Sequence, residues 1–571
     1  MKRHALVVLA FSVLSALAAR LVTRVALVDM ALVMDVITYV FQAKVLASGR
    51  LTAPALEPLP AFNQWFLEDR GARYGIFPPG WPAVLALGLK LGLVHWVNPA
   101  LHGATVFLVG RAGERAGGER LSMIAAGLYA ASPQAVLLAA SLMSHTLVAF
   151  AGGVVLLFAT TLFEQRRAPF GFAGGGGGGG GGRAPPRPVC AMVLAGAAAL
   201  AVLLYGRSPE ARPLATGVGA TLGALPPVAA LFAYNRALTG SASRFPQMAY
   251  FDGHLAPSDQ PFFRYAPGCN ALGFGRGHGC DLTVASGVHT PLNALSNSGD
   301  NLTAWLLLAC GPVLAVGLAL ALARKETRAR AMYLVAVPLL TVALYTLYWH
   351  GGTCYGARFY HAALPAALLL VALGISLRDR RVTAGLLAAA LAWNAFAFRR
   401  ASKEIADPVW GYWAVDARFR ELKQGWDKGR ALVMVAFGPD DLYNPKLGWT
   451  AIVPDGAMWM LNIRALAALA ENPLVVDDAE VVFAKFHPAL VDELRARFPD
   501  RALYLYVANG KRDEDTVEPF DPTRFPAERY REPAPNFDGF RVAPPLLPPP
   551  ASLRPPDEAN LYPPGPAAPP R

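Results

Sequence analysis

The sequence has few charged residues and few cysteines for its length. Only 16% of its 571 residues are Asp, Glu, Lys or Arg, whereas 54% are hydrophobic, and ordinary soluble domains have about 25% charged residues. The five cysteines form no CxxC pair and no Cys/His zinc pattern. The shortage of charge excludes an ordinary soluble domain, and the cysteine pattern gives no sign of a zinc site. The mean hydropathy of +0.34 indicates a polytopic membrane protein.

The net charge of +12 does not indicate nucleic-acid binding. The Arg and Lys residues occur in short clusters between apolar runs, as the positive-inside rule expects of cytoplasmic loops. We therefore expect no nucleic acid among the partners.

Apolar runs long enough to cross about 30 Å of hydrocarbon recur along the first 400 residues. They predict an α-helical fold with about 9–11 transmembrane helices. The runs lie at 5–27, 95–112, 121–139, 143–163, 190–206, 213–234, 302–323, 331–349, 361–377 and 382–398.

The basic clusters set the expected orientation. Lys2 and Arg3 place the N-terminus in the cytoplasm, and the Arg-rich connectors 111–120, 164–189, 324–330 and 378–381 follow it there. Residues 348–361 and those after about 400 then lie outside. Two runs separate the inner connector 164–189 from the outer loop 239–300, so we expect one of them, broken near Gly206 or at Pro226-Pro227, to be re-entrant or half-length. ALAAR (16–20) also resembles a signal-peptide cleavage site.

Composition divides the chain into three parts. Residues 1–402 form the membrane domain, with a first outer loop at 28–94 that contains interfacial helices, a Gly-rich cytoplasmic loop at 164–189 and an outer loop at 239–300. Residues 403–540 predict a small extracytoplasmic α/β domain, with strands at 431–438, 480–486 and 502–510. The Pro-rich tail, 541–571, is expected to be extended and disordered.

Asp35 lies just past the first apolar run, where a transmembrane helix reaches the outer membrane face. A carboxylate there is placed to act as a base on a substrate delivered by the membrane. The alternative is a solvated loop carboxylate or a helix cap.

The order of several motifs resembles the GT-C glycosyltransferases, which use polyprenyl-phosphate sugars and include protein O-mannosyltransferases and lipid A aminoarabinose transferases. The motifs are Asp35 with Tyr39 after the first run, YGIFPPGWP in the outer loop, YNRALTGSASRFP (234–246), LGFGRGHG (272–279), HTPLNALSNSGDNL (289–302) and GARFYHAALP (356–365). Many relatives carry two adjacent acidic residues where this chain has Asp35-Val36, so the resemblance implies no certain cofactor and leaves a divalent metal undecided.

The resemblance implies transfer of a sugar from a polyprenyl-phosphate donor by direct displacement. Asp35 would be the base, Arg358 would hold the departing phosphate, and Tyr39 and Tyr360 would support the site. Arg358 could instead anchor a span end at the headgroups, and the tyrosines could belong to an aromatic belt. The histidines show no HxH or HExxH spacing for a metal.

The expected setting is the bacterial inner membrane, with the active site facing the periplasm. The expected partners are the donor, membrane lipid and an outer glycan, lipid or protein acceptor. The alternatives are a transporter or flippase of lipid-linked substrates and a non-catalytic lipid-binding protein. A transporter would carry ionisable residues in the middle of its spans, and these runs have few.

Cys269 and Cys280 lie in the same polar loop, which the orientation places outside. An oxidising compartment allows thiols to pair, so we expect a disulfide between them. The alternatives are two unpaired cysteines or a competing pairing with Cys354.

Overall fold

The structure is a computed structural model, and it describes residues 3–31, 33–62, 64, 66–69, 71–165, 188–205, 213–254, 273–276, 288–348, 355–405, 417–437, 467–486, 490–508 and 516–522. The expected Cys269–Cys280 disulfide, the glycine run 174–182 and the tail 541–571 lie outside these residues.

The first part of the chain is a long helix followed by a loop with short strands. Its elements are α1 (Arg3–Val25), α2 (Met34–Ala47), β1 (Ala53–Pro54), α3 (Leu59–Phe62), β2 (Leu67–Glu68), β3 (Ala72–Gly75), α4 (Gly80–Lys90) and α5 (Val97–Gly117). The strands pair antiparallel in the order β1-β3-β2. Helix α4 falls on the segment that the sequence predicts to be interfacial.

The middle of the chain is almost entirely helical. Its elements are α6 (Glu119–Ala130), α7 (Pro133–Ala140), α8 (His145–Gln165), α9 (Pro188–Tyr205), α10 (Pro213–Thr239), α11 (Pro246–His254), β4 (Gly275–Arg276), β5 (Val288–His289), α12 (Pro291–Ala309), α13 (Pro312–Ala323), α14 (Lys325–Thr346), a 3-10 turn (Arg358–Ala363), α15 (Leu364–Ser376) and α16 (Arg380–Ile405).

Helix α1 shows why these runs suit a bilayer. Its buried residues follow one another at intervals of three or four, which places them on one face against the protein: His4, Val8, Ser12, Ser15, Ala19 and Thr23. Leucines and valines elsewhere on the helix stay exposed, as on a surface that faces lipid: Leu6, Val13, Leu14, Leu17 and Leu21.

Each of the ten predicted runs coincides with a helix or a helix pair. Among the described residues, five helices are long and apolar enough to cross a membrane, or seven when each of two bent pairs counts as one span. Together with the C-terminal sheet, this confirms the predicted class, a mainly helical multi-pass membrane protein with a small sheet-containing region.

Three details differ from the sequence prediction. The run 121–139 is bent by 54° between α6 and α7, and the run 302–323 by 89° between α12 and α13. The second helix of each bent pair, α7 or α13, starts with proline, which lacks the N–H that would continue a helix. Gly311, just before α13, also has a φ of +57°. Conversely, α10 continues through Pro226-Pro227, so this run, one of the two that the sequence left open as re-entrant or half-length, is not broken at its proline pair. Pro is tolerated within apolar spans.

The basic connectors meet at one end of the helices. His4 Nε2 lies 3.2 Å from Glu114 Oε1, and Arg120 Nη2 donates to Thr383 Oγ1 at 2.6 Å. Arg330 donates to the carbonyl of Ala116. The N-terminus and the connectors 111–120, 324–330 and 378–381 therefore share one face of the protein, as the predicted orientation requires, whereas most of the connector 164–189 lies outside the described residues.

The C-terminal region contains two helices and one four-stranded sheet. Its elements are α17 (Arg418–Gln424), β6 (Ala431–Phe437), β7 (Val481–Lys485), α18 (Val491–Arg497), β8 (Ala502–Ala508) and β9 (Thr516–Pro519). The order is β7-β6-β8-β9, with β6 parallel to both neighbours and β9 antiparallel to β8. The three predicted strands are β6, β7 and β8.

The sheet and the first loop share one hydrophobic core. Phe62 of α3 meets Phe498 edge-on, with ring centroids 6.1 Å apart. Within the region, Phe419 packs on Phe483 and Tyr506. The C-terminal region therefore packs directly against the loop that carries Asp35.

Candidate functional site

Asp35 lies in the first turn of α2. The N-cap residue is Val33, whose φ and ψ of −128° and 154° are extended, so Asp35 is inside the helix rather than its cap. A carboxylate in the first turn is stabilised by the positive end of the helix dipole. The side chain is only 16% exposed, which also differs from a solvated loop residue.

Arg358 starts the 3-10 turn that leads into α15. Its Nη1 lies 3.5 Å from Oδ2 of Asp35, and its side chain is 14% exposed. That separation is an ion pair but is long for a hydrogen bond. The guanidinium also lies 5.0 Å from the ring centroid of Phe359. The two charged residues predicted from separate parts of the chain thus lie side by side, and Arg358 is enclosed, unlike an anchor in the headgroups.

One face of α2 continues from Asp35 to the membrane helices. Tyr39 and Gln42 follow at four and seven residues, the spacing of a single helical face. Tyr39 is fully buried and its ring lies 4.7 Å from that of Phe77. Gln42 donates to the Phe77 carbonyl at 2.8 Å and to the hydroxyl of Tyr234. Tyr39 therefore packs beside the site, as a supporting residue would.

Tyr360 lies two residues beyond Arg358 and is fully buried. Its ring centroid is 6.0 Å from that of Tyr345 in α14. Tyr360 is therefore enclosed within the protein and is not an exposed aromatic residue, while its supporting role stays a prediction.

Sequence reasoning did not find Gln42 or Tyr234. The signal for Gln42 was its spacing of seven from Asp35, and Tyr234 stood in the YNRALTG segment. A contact between α2 and α10 is not visible in either local pattern.

The break between α7 and α8 exposes backbone carbonyls that side chains from neighbouring elements bind. Asn98 donates to the carbonyls of Ser141 and Met143 at 2.6 and 2.8 Å, and Trp81 donates to the carbonyl of Leu142 at 2.9 Å. These bonds satisfy backbone groups that a helix would otherwise pair. His145, at the start of α8, lies 6.0 Å from Phe359. The sequence places a boundary here, between the runs 121–139 and 143–163, but it does not predict the hydrogen bonds that fill it.

Asp29 belongs to a different arrangement. Its carboxylate receives two bonds from Arg20, at 2.6 and 3.1 Å, and its own backbone has a φ of +54°. It fixes the chain between α1 and α2 and does not meet Arg358.

Buried charges join the first loop to the C-terminal region. Arg73 Nε donates to Asp69 Oδ1 at 2.8 Å, and both side chains are buried. Burial raises the pKa of Asp69, opposed chiefly by Arg73. Burial lowers the pKa of Lys485 to about 7, opposed by Asp69. These charges are costly to bury and gain only by pairing with one another.

A cavity of about 230 Å³ lies against the opposite face of α2. Its walls include Ile37, Lys44, Arg420 and Glu471. Burial lowers the pKa of Lys44, while Glu471 raises it. Cations and anions alternate around this cavity and already pair with each other, so it is part of the contact between the first loop and the C-terminal region.

No three His, Cys, Asp or Glu side chains within the described part of the chain come together as a set that could hold a metal ion. His145, His289 and His361 are described and belong to no such set, whereas His278 and His350 lie outside the described residues. Among the described residues, Asp35 also belongs to no such set.

No protein-family model and no curated protein matches the chain. The similar solved structures include ArnT from Cupriavidus metallidurans bound to undecaprenyl phosphate, at 12% identity and a TM-score of 0.49, covering 87% of this chain and 92% of that one. The apo oligosaccharyltransferase of Archaeoglobus fulgidus is 13% identical with a TM-score of 0.41, covering 89% and 69%.

A third similar structure is the oligosaccharyltransferase AglB from Archaeoglobus fulgidus in complex with an inhibitory peptide and a dolichol-phosphate. It is 12% identical with a TM-score of 0.39 and covers 96% of this chain and 77% of that one. Such identities and TM-scores do not by themselves establish a family.

Proposed function

We propose that the protein is an integral membrane glycosyltransferase that moves a sugar from a polyprenyl-phosphate donor to an extracytoplasmic acceptor. The observation that carries the proposal is the ion pair of Asp35 and Arg358, 3.5 Å apart. It brings a candidate base and a candidate phosphate ligand together at the end of the helices opposite the basic connectors. The order of motifs along the chain supports the same assignment.

The proposed step is a displacement at the anomeric carbon. The acceptor hydroxyl oxygen forms a bond to that carbon, its proton passes to the Asp35 carboxylate, and the bond from the carbon to the phosphate oxygen breaks. The polyprenyl phosphate leaves as an anion, so no general acid is needed. Arg358 stabilises the negative charge that develops on it.

Direct displacement also requires the ion pair to open. The attacking and leaving oxygens lie on opposite faces of the sugar, and inverting glycosidases accordingly keep their two catalytic groups about 6.5–9.5 Å apart. At 3.5 Å, Asp35 and Arg358 are too close for that arrangement. We infer that the donor phosphate replaces Asp35 as the partner of Arg358, which frees the carboxylate to accept the proton.

The proposed orientation follows the basic connectors. His4, Arg120 and Arg330 lie at one end of the bundle, and the positive-inside rule assigns that end to the cytoplasm. The site then faces the exterior, which in a bacterial inner membrane is the periplasm. The C-terminal region lies on that same side, next to the site, and the acceptor is a glycan, lipid or protein found there.

The test is transfer by purified protein in detergent or proteoliposomes. The donors are a panel of radiolabelled sugars on undecaprenyl phosphate, and the acceptor is an envelope extract. We expect label to move from the lipid to an acceptor, and Asp35→Asn to stop this movement. A flippase would instead move the lipid-linked sugar across the bilayer without transfer, and that movement in both wild type and Asp35→Asn would overturn the proposal.

A further inference from the structure

Gln134 lies at the start of α7 and is completely buried. Its side chain binds the segment just before Arg358 through two hydrogen bonds. Gln134 Nε2 donates to the carbonyl of Tyr355 at 2.9 Å, and the amide N–H of Ala357 donates to Gln134 Oε1 at 3.0 Å. One amide side chain thus pairs with a backbone carbonyl and a backbone N–H, as a neighbouring β-strand would.

The clamped segment has an unusual backbone. Tyr355 and Gly356 are consecutive residues with positive φ, at 54° and 74°. The left-handed region is unfavourable for a tyrosine and persists only where the surroundings impose it. Gln134 supplies that constraint, because its two bonds match the carbonyl and the N–H on either side of Gly356.

Gly356 is required by the same contact. A Cβ at this position would clash with Gln134 Oε1 and with a methyl group of Leu308. The next residues then fold back, since Arg358 N–H donates to the Gly356 carbonyl at 2.9 Å and Tyr360 N–H to the Ala357 carbonyl at 3.0 Å. The start of the 3-10 turn, and with it the direction of the Arg358 side chain, follows from the clamp.

We propose that Gln134 is a positioning residue that holds Arg358 beside Asp35. It does not touch the reacting atoms. It acts through the backbone of residues 355–357, and the functional part of the inference rests on the proposed glycosyltransferase reaction. Gln134 stands alone in an apolar run, so its role follows from the structure and not from a sequence motif.

The test compares Gln134→Leu, which keeps the volume and removes both bonds, with Asn394→Leu. Asn394 is the matched control, because its buried amide donates to the Ala131 carbonyl at 3.0 Å, near α7 but away from Arg358. The first readout needs no substrate. It is the rate at which phenylglyoxal modifies Arg358 in the intact, detergent-solubilised protein. The protein is digested after the reaction, and mass spectrometry of the peptides measures the modified fraction.

We expect Gln134→Leu to speed modification of Arg358 about threefold or more and Asn394→Leu to leave it unchanged. Equal rates in wild type and Gln134→Leu would overturn the positioning role. A Gln134→Leu chain that fails to fold would be replaced by Gln134→Met, whose unbranched and adaptable side chain also lacks both hydrogen bonds, and the modification rates are compared in the same way.

The second readout is the donor KM in the transfer assay. Gln134→Leu should raise it about tenfold with a smaller change in kcat, and should add nothing in an Arg358→Ala background, because both changes remove the same cation from the phosphate. Fully additive effects would overturn the link to Arg358. Absence of transfer by wild type would instead refute the proposed function, while the modification rates still decide whether Gln134 places Arg358.

Discussion

The ammonium group of Lys44 donates to the carbonyl of Ala470 at 3.2 Å, which ties the last turn of α2 to the C-terminal region. At the other end, Arg420 donates to the carbonyls of Val28 and Asp29 at 3.3 and 3.1 Å, just before α2 begins. The helix that carries Asp35 is thus held by the C-terminal region near both its ends.

Asp35→Asn should lower kcat of transfer by about 10²–10⁴-fold, the contribution of a positioned base. The change removes the proton acceptor and keeps the shape of the side chain, so the protein should still fold and insert. Initial rates with labelled donor, together with gel filtration in detergent, measure both effects. Retention of more than about a tenth of the wild-type rate would argue against Asp35 as the base.

Asp29→Asn is the matched control for that experiment. Asp29 pairs with Arg20 and does not contact Arg358, so its loss should leave the chemistry nearly unchanged. The expected cost is in stability, at about 1 kcal/mol or less for a partly exposed ion pair. A loss of rate equal to that of Asp35→Asn would show that the assay reports folding and not catalysis.

Arg358→Ala should raise the donor KM strongly, because it removes the cation that receives the donor phosphate. Arg358→Lys should restore binding only in part, since lysine keeps the charge but lacks the planar pair of donors. Binding of undecaprenyl phosphate, measured by titration of the purified variants, isolates this effect from turnover. Donor affinity equal to wild type in the alanine variant would leave Arg358 as a partner of Asp35 alone.

The sequence predicted the long helices and the strands β6, β7 and β8 because their signals are local, whereas the short strands β1 to β5 and β9 were not predicted. An apolar run or an alternation of leucines and tyrosines is visible in neighbouring residues, and α1 and β8 needed no other signal. Asp35 and Arg358 were also predicted as site residues, each from its own motif. The contact between them depends on how α2 and the 3-10 turn pack, and Gln134, which sets the second of these, has no pattern around it.

The same limit explains the differences in the fold. Pro133 and Pro312 end one helix and start another, whereas Pro226 and Pro227 lie inside α10. Proline alone does not distinguish the two outcomes. The surroundings decide whether the freed carbonyls find other partners, and those surroundings come from distant parts of the chain.

The Cys269–Cys280 disulfide stays a prediction, because both cysteines lie outside the described residues. Peptides of the non-reduced protein, alkylated before digestion, should show the two joined by mass spectrometry. The chain-entropy model assigns a ring of this size about 3 kcal/mol, so reduction should lower the melting temperature. Alkylation of either cysteine without prior reduction would contradict the bond and weaken the assignment of this loop to the exterior.

Lys485→Met should remove a pH dependence from the stability of the protein. Burial lowers the pKa of Lys485 to about 7 from 10.5, and Asp69 only partly opposes this. Between these two values the unfolded chain binds the proton and the folded chain does not, so stability rises with pH across this window. Below about pH 7, Lys485 is protonated in both the folded and the unfolded state, so the free-energy cost of burying its charge no longer changes with pH.

The wild-type free energy of unfolding should therefore rise between pH 7 and 9 relative to that of Lys485→Met, by at most about 1.4 kcal/mol per pH unit. Thermal unfolding of both proteins in the same detergent, followed by near-ultraviolet circular dichroism, measures the difference. Titrating groups far from residue 485 cancel between the two chains. Asp69 is the exception, because Lys485 lowers its pKa; the higher pKa of Asp69 in the variant makes the variant less stable as pH rises, which adds to the same difference. Asp69 keeps its bond to Arg73 in the variant, and replacing a buried ammonium by an apolar group of similar size is often neutral or stabilising. Parallel pH profiles would show that Lys485 is charged in the folded protein throughout this range.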